Sequence, residues 1–355
     1  MTVTDLNGPS AGSILLAPFN SADPQAGFLY VLDQNGKIIS LKKTNHNALD
    51  FKKWDLNGVI RYTYNEYNPG GFHIPGIGYS PGDEVILDEN MNEIKRVDFL
   101  PFNGRPEDQT LLDSHDFILL NDNHYIAECY YQKKVTNIPS SLNPAPGGVE
   151  VVAPIIQEVN NGQVIWEWDA TSFPELYLSS TNGNNFSDST AINDYAHMNS
   201  MIIDPKDSNL IISFRVLNEI IKVNRKNGSI MWRLGGASSD FVLSDDQKTI
   251  WQHDATLTDS GQTLLVFDNG EAGVRPVTRI VEYKLDEENK KLVSFKSMDM
   301  PNNVFTVAMG SVQKRGNTYF IGGGTGNYVM EVDNSTGKIL FQMKLNYPTY
   351  RAFKY

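Results

Sequence analysis

Cysteine is nearly absent from this chain, long apolar runs are missing, and basic residues are outnumbered. Each shortage removes a class of protein. The 355 residues include one cysteine, so no disulfide within the chain is possible. That residue, Cys129, falls in the mostly apolar run from Tyr125 to Tyr131, which reads as a buried, inert thiol and not a nucleophile. No run of about 18 apolar residues occurs, so no membrane span is expected. Met1–Asn20 lacks a basic start followed by an apolar stretch; no signal peptide is read there, and the compartment stays open. Lys and Arg total 30 against 42 Asp and Glu, a formal charge of −12. A nucleic acid or an anionic membrane needs a basic face, so neither partner is expected. An acidic chain still holds an anion where Arg, His and backbone N–H groups cluster. No P-loop is present, and no G-x-G-x-x-G follows a strand, which leaves a nucleotide donor without a recognisable seat. No stretch sustains helical periodicity either.

What the chain has is strand-forming sequence. Hydrophobic residues make up 40% and aromatics 11%, with Gly and Asn breaking the runs at short intervals. One phrase recurs: a β-type run, a polar turn with Asn, Asp or Gly, then a second β-type run. It is F-L-Y-V-L-D-Q-N-G-K-I-I-S-L from Phe28 and E-V-I-L-D-E-N-M-N-E-I-K-R-V from Glu84, and it returns from Ile155, Ile220, Ile280 and Tyr328. Upstream of the later copies lies another pair of runs, such as H-M-N-S-M-I-I-D-P-K-D-S-N-L-I-I-S-F and H-D-A-T-L-T-D-S-G-Q-T-L-L-V-F. Four short antiparallel strands per unit, in six units, predict an all-β chain folded as a six-bladed β-propeller, one domain over residues 1–355. Two stacked sandwiches are the alternative. The N-terminal segment is a candidate to complete the last blade. Thr136–Val152 and Thr171–Asp194 read as loops over one face, and G-G-G-T-G-N from Gly322 as close blade packing.

Three of the six histidines hold the same place in their units: His115, His197 and His253 each open the first strand of a repeat. In a propeller that strand lines the central channel, so the three imidazoles are expected to meet at one mouth of it. Arg215 ends the second strand of the fourth repeat, and Asn199 lies near the start of its first. A guanidinium, an amide and several imidazoles make a donor-rich, acceptor-poor pocket suited to a tetrahedral oxyanion such as sulfate or phosphate. His46 and His124 are expected to be exposed, and His73, in G-G-F-H-I-P-G, is within loop reach of the same face. Three histidines also suit Zn²⁺ with an open fourth position. Against a metal, Asp116 and Asp254, each directly after a histidine, are the only carboxylates read near the ring; as strand neighbours they are expected outside the channel, satisfying backbone groups or orienting a ring. No metal and no other cofactor is therefore expected.

H-D-F, H-M-N-S, S-F-R followed by I-I-K-V and W-R-L-G-G, Q-H-D-A and F-D-N-G, in that order, resemble the motifs of the arylsulfate sulfotransferase family. The resemblance runs from about Phe28 to the terminal Y-R-A-F and is strongest from His115 to Arg279. It implies a six-bladed propeller that moves a sulfuryl group from an aryl sulfate to a phenol without a nucleotide donor. Carried over, His253 matches the nucleophile that becomes transiently sulfated, and His115, His197, Asn199 and Arg215 match its anion-binding partners. A second imidazole, His115 or His197, would exchange the phenol proton. The aryl pocket has no transferable motif; Tyr62, Tyr64, Tyr67, Phe72 and Tyr195 are aromatic loop candidates. Two other classes stay open beside this one: a lyase, hydrolase or cyclase handling an oxyanion at the same site, with or without a metal, and a non-enzymatic propeller presenting a binding face. Oligomeric state is left open.

Overall fold

The recurring phrase folds as a hairpin because its first polar residue caps the turn. In blades one, two, four and six the side-chain oxygen of Asp33, Asp88, Asn224 or Asp333 accepts a hydrogen bond from the backbone N–H two residues on. That local bond replaces the ladder where the chain must reverse. In the computed structural model, which describes residues 1–25, 27–70, 73–74, 76–105, 112–181 and 183–355, these hairpins are the outer halves of six antiparallel sheets. The sheets form a six-bladed β-propeller with four-stranded blades. No described helix is long and apolar enough to cross a membrane.

Both chain ends tie the ring. The innermost strand of blade one is the C-terminal Thr349–Lys354, paired with Ile14–Pro18, while Thr2–Leu6 adds a fifth, outermost strand to blade six. Blade two begins with Ala48–Leu56 and blade three with Phe117–Asn121; blades four, five and six begin with Met198–Ile203, His253–Thr258 and Ser311–Arg315. Apolar residues fill the space between blades, as where Ile211, Ile220 and Trp232 of blade four meet Leu264, Val266 and Tyr283 of blade five. At the ring's closure a Cβ on Gly322 would stand 2.5 Å from the Ala352 backbone nitrogen, so only glycine lets blades six and one approach there.

The loop prediction holds in part. Val149–Asn160 is a twelve-residue strand paired with His124–Val135, so 149–152 belong to blade three and not to a loop. The second segment winds through short 3₁₀ turns at Ala170–Ser172 and Pro174–Ser179 before Ile192–Asn193 pairs parallel to the long strand. Cys129 is fully buried, and burial pushes its thiol well above the ordinary range.

Irregularities at the starts of inner strands decide where side chains point. Bulges interrupt pairing between Leu49 and Lys52 in blade two, Met198 and Ser200 in blade four, and His253 and Thr256 in blade five. A bulge breaks the two-residue alternation and re-aims the residues that follow. The blade-five bulge turns Asp254 toward the axis, and Asp116 reaches it from the bend before blade three. The outward placement read from strand alternation is thereby corrected. Both aspartates do satisfy backbone groups, Asp116 taking Met201 N–H and Asp254 taking Val312 N–H, each at 2.9 Å. Both also belong to a buried ion network. Arg351 of blade one reaches Asp50 at 3.2 Å, Asp116 at 3.2 Å and Asp254 at 3.4 Å, and Lys52 pairs with Asp50 at 2.7 Å and with Asp116. This network separates a 280 Å³ cavity lined by inner-strand residues such as Trp54, Phe117 and Phe353 from a 430 Å³ cavity on the other side.

Candidate active site

The 430 Å³ cavity is lined by His115, His197, His253, Arg215 and Asp194 on its polar side, and by Phe19, Leu49, Tyr79, Met309 and Tyr350 on the other. The three histidines start adjacent blades, and the rings of His115 and His197 meet edge to face with centroids 5.1 Å apart. Each ring is held from behind through Nδ1. His115 is bonded to Asp113, two residues upstream, and His197 to Asp194, three upstream, at 2.6 Å. Those carboxylates were missed in the sequence, although D-S-H and D-Y-A-H carry them; an Asp just upstream of each histidine, not the Asp after it, was the available signal.

His253 has a different partner. Its Nδ1 lies 2.8 Å from Oδ1 of Asn269, whose Nδ2 donates to the carbonyls of Thr306 and Met309, both at 2.9 Å. Those two bonds fix the amide's orientation, so Oδ1 must accept and Nδ1 of His253 must carry the proton. The lone pair is then on Nε2, where the Met309 N–H points at 3.2 Å. Burial, then the Arg215 charge and the two neighbouring imidazoles, hold this ring well below the ordinary histidine range, outweighing its bond to Asn269. His253 is thus a neutral imidazole whose Nε2 lone pair meets one long hydrogen bond, from the Met309 N–H. Asn269 stands in the quoted motif F-D-N-G but received no role there.

Arg215 follows its strand at the turn into Val216, and its guanidinium lies 4.0 Å from the centroid of the Trp251 ring. Its Nε is buried without a partner, and the Asp194 carboxylate acts on it only through space. A cation-π seat holds the charge in place and leaves N–H donors for a ligand. Non-glycine residues in the left-handed region gather here: His197, Trp251, Asp254 and Met309, with φ of 53°, 52°, 48° and 64°. Backbone strain of this kind persists where surrounding structure over-determines it, and it collects at functional sites.

Asn199 sits elsewhere. It is fully buried, does not line the cavity, and donates through Nδ2 to the Gln252 carbonyl at 2.7 Å. The bulge between Met198 and Ser200 aims it at the neighbouring blade, so it touches the backbone leading into His253 and not the cavity. His73 stacks on Tyr79 with centroids 5.1 Å apart, near the rim. His46 and His124 are half-buried instead of exposed, and His124 pairs with Glu158 at 2.7 Å. Of the aromatic candidates, Tyr64 and Tyr195 are core residues, Tyr62 and Tyr67 lie away from the cavity lining, and Phe72 falls outside the described residues. Tyr79 and Tyr350 take their place. Burial pushes Tyr79 up to about 12 and Tyr350 well above the usual phenol, so both stay protonated. A larger hollow of 610 Å³, lined in part by Thr181, Asn218, Lys248 and Val274, has no imidazole in its wall among the described residues.

Comparison with known proteins gives three results. Among solved structures, a protein of unknown function from Bacteroides caccae superposes with a TM-score of 0.51 at 12% identity, covering 97% of this chain and 99% of that one. The β-propeller domain of Myceliophteria thermophila Cps50 (Swd1) gives a TM-score of 0.49 at 10% identity, covering 97% and 90%. Such likeness is of fold alone. No curated protein matches the chain. The family model described as arylsulfotransferase (ASST) matches residues 68–346, which takes in the outer half of blade two and the four-stranded parts of blades three to six, and with them all three cavity histidines, Arg215 and Asn269. That family carries a sulfotransferase-type activity, and this chain belongs to it.

Proposed function

We propose that the protein transfers a sulfuryl group from an aryl sulfate to a phenol through a sulfo-histidine at His253. The observation that carries this reading is the fixed tautomer: a neutral imidazole whose Nε2 lone pair opens on a cavity furnished with cationic and imidazole donors. In the first half-reaction Nε2 attacks sulfur. The N–S bond forms, the S–O(aryl) bond breaks, and the electron pair leaves with the phenolate oxygen. Arg215 faces the non-bridging oxygens with unpaired N–H donors, and the Met309 N–H, released as Nε2 takes sulfur, turns to one of them. His115 or His197 gives an Nε2 proton to the departing phenolate. In the second half-reaction the same ring takes a proton from the acceptor phenol, whose oxygen displaces Nε2 at sulfur and restores the free enzyme. Phe19, Leu49, Tyr79 and Tyr350 offer the aromatic and apolar wall for the aryl group of donor and acceptor alike. Asn199 acts indirectly, holding the Gln252 peptide and so the entry of the His253 strand.

Intact-protein mass after brief mixing with a chromogenic aryl sulfate tests this, with phenol release followed in parallel. One added sulfuryl group, mapped to His253 and lost on adding a phenol, is the expected result. A folded protein that releases phenol without an adduct on His253 overturns the covalent step; one that does neither overturns the reaction.

A further inference from the structure

On the far side of the His115 ring from the cavity lies a second group of ligating atoms. Asp113, His115 and Glu128 each present a carboxylate oxygen or ring nitrogen, and these atoms lie within 4.8 Å of one another. All three residues are buried, at 2%, 5% and 0% exposure. Asp113 comes from the short strand Leu112–Asp113 that pairs with blade two, and Glu128 from the second strand of blade three, His124–Val135. Glu128 is the anomaly. Among the described residues neither of its carboxyl oxygens has a well-formed hydrogen bond, and the Asp116 backbone N–H gives one of them weak support at most. Other buried glutamates here are answered: Glu331 by Lys354, Ser10 and Thr318, and Glu84 at one of its two oxygens. Protonation alone does not remedy Glu128, since a neutral carboxyl still carries an unmet donor and acceptor. The cations at the axis are committed, Lys52 to Asp50 and Asp116, Arg351 to Asp50, Asp116 and Asp254.

We propose that Asp113, His115 and Glu128 form a buried site for one first-row divalent cation, zinc before manganese, under the floor of the cavity. Two carboxylates and an imidazole make the mixed oxygen and nitrogen set that such ions take, at bond lengths of about 2.0–2.2 Å. Atoms within 4.8 Å of one another close around such an ion by side-chain rotation. The ion replaces the proton between His115 Nδ1 and Asp113, gives Glu128 its partner, holds His115 Nε2 toward the cavity and places positive charge beneath it. A second cluster with similar spacing, Asp204, Asp207 and Glu287, is already filled: Lys222 Nζ lies 2.7, 2.8 and 2.7 Å from its members. The cation site does not depend on sulfuryl transfer, and its test uses no substrate.

The full chain, free of any affinity tag, is stripped with a chelator and titrated with zinc chloride and manganese chloride by calorimetry, with elemental analysis after desalting. One zinc per chain and a raised melting temperature are expected. Glu128→Gln should weaken uptake at least about a hundredfold, and Asp207→Asn should leave it unchanged. If Glu128→Gln does not fold, X-ray absorption of the zinc-loaded wild type decides, with one imidazole and otherwise oxygen donors expected. Folded wild-type protein that takes up neither metal overturns the proposal. So does undiminished uptake by Glu128→Gln, or a zinc shell with several imidazoles, which would put the ion in the histidine cavity.

Discussion

The cavity and the ion network beneath it are built from the same strand beginnings, yet they treat charge in opposite ways. His115 and Asp116 are adjacent, as are His253 and Asp254; in each pair the histidine faces the cavity and the aspartate faces the axis. In the network every cation is surrounded: Arg351 meets carboxylates from blades two, three and five, and Lys52 meets two. In the cavity donors are left over. Arg215 lies on Trp251 with no carboxylate of its own among the described residues, and the His115 and His197 rings spend only Nδ1 on their support, while His253 Nε2 also takes the Met309 N–H. Paired charges from blades one, two, three and five, with backbone N–H groups of blades four and six, tie the blades to one axis, while unpaired donors wait for a ligand. Substitutions in the two regions should therefore separate loss of activity from loss of stability.

The largest separation is expected from His253→Ala. Turnover of an aryl sulfate should fall by at least about 10⁴-fold, because nucleophile and leaving-group steps both run through Nε2. The melting temperature should fall far less than on breaking the ion network, the loss being the Asn269 and Met309 hydrogen bonds; normal turnover in a folded variant would end the sulfo-histidine reading. Arg351→Met is the converse. It strands Asp50, Asp116 and Asp254 in the interior and should cost about 3–5 kcal/mol in denaturant unfolding. A loss within a few tenths would mean the network carries little of the ring's closure.

Arg215→Lys should lower kcat/KM by about 10²-fold, as an ammonium cannot present the planar fork or keep the same stacking on Trp251. Both half-reactions should slow in stopped-flow; an effect on only one would assign Arg215 to one substrate. Asn269→Asp turns the partner of His253 into the kind that His115 and His197 have. A carboxylate at Nδ1 favours the imidazolium, so the acid limb of the pH–rate profile should move up by about 1–3 units. An unmoved limb would show that the neutral state of His253 is set by burial alone.

The smallest effects are in the pH dependence of stability, and the two regions should slope in opposite directions. Burial holds His253 well below its ordinary value, so its contribution is complete above the unfolded value of about 6.5 and is lost as pH falls through the depressed one. Burial raises Asp254 to about 6, outweighing Arg351. Its contribution is complete below the unfolded value of about 3.9 and is lost as pH rises through about 6. Denaturation across pH 4–7 should show His253→Gln removing a loss on acidification and Asp254→Asn removing a gain. Equal slopes in both variants would contradict the assignment.

Much of the fold was legible because a propeller repeats one short-range device. Runs of β-forming residues and an Asp or Asn at each turn, as at Asp33, Asp88, Asn224 and Asp333, act within a few residues and show directly in sequence. The site was legible where it repeats too, in a histidine at the head of three inner strands. It was not legible where the repeat is broken. Asn199 looked like a ligand because it stands near the start of an inner strand and matches the family motif, and a bulge sent it into the neighbouring blade. A bulge likewise brought Asp254 to the axis, and Asp116 comes there from the bend before its strand. Arg351 and Lys52 could not be matched to those aspartates, since their contacts span 235 and 64 residues of sequence.

By itself, then, the sequence determined the repeat, the strand and turn pattern, and the residue types at the channel mouth, because these rest on backbone preference and periodicity. Tertiary structure decided which nitrogen of His253 bears the proton, which carboxylates stand behind His115 and His197, and which aromatics wall the cavity. Those outcomes depend on hydrogen-bond direction and burial, and both are set only when blades distant in the chain close into one ring.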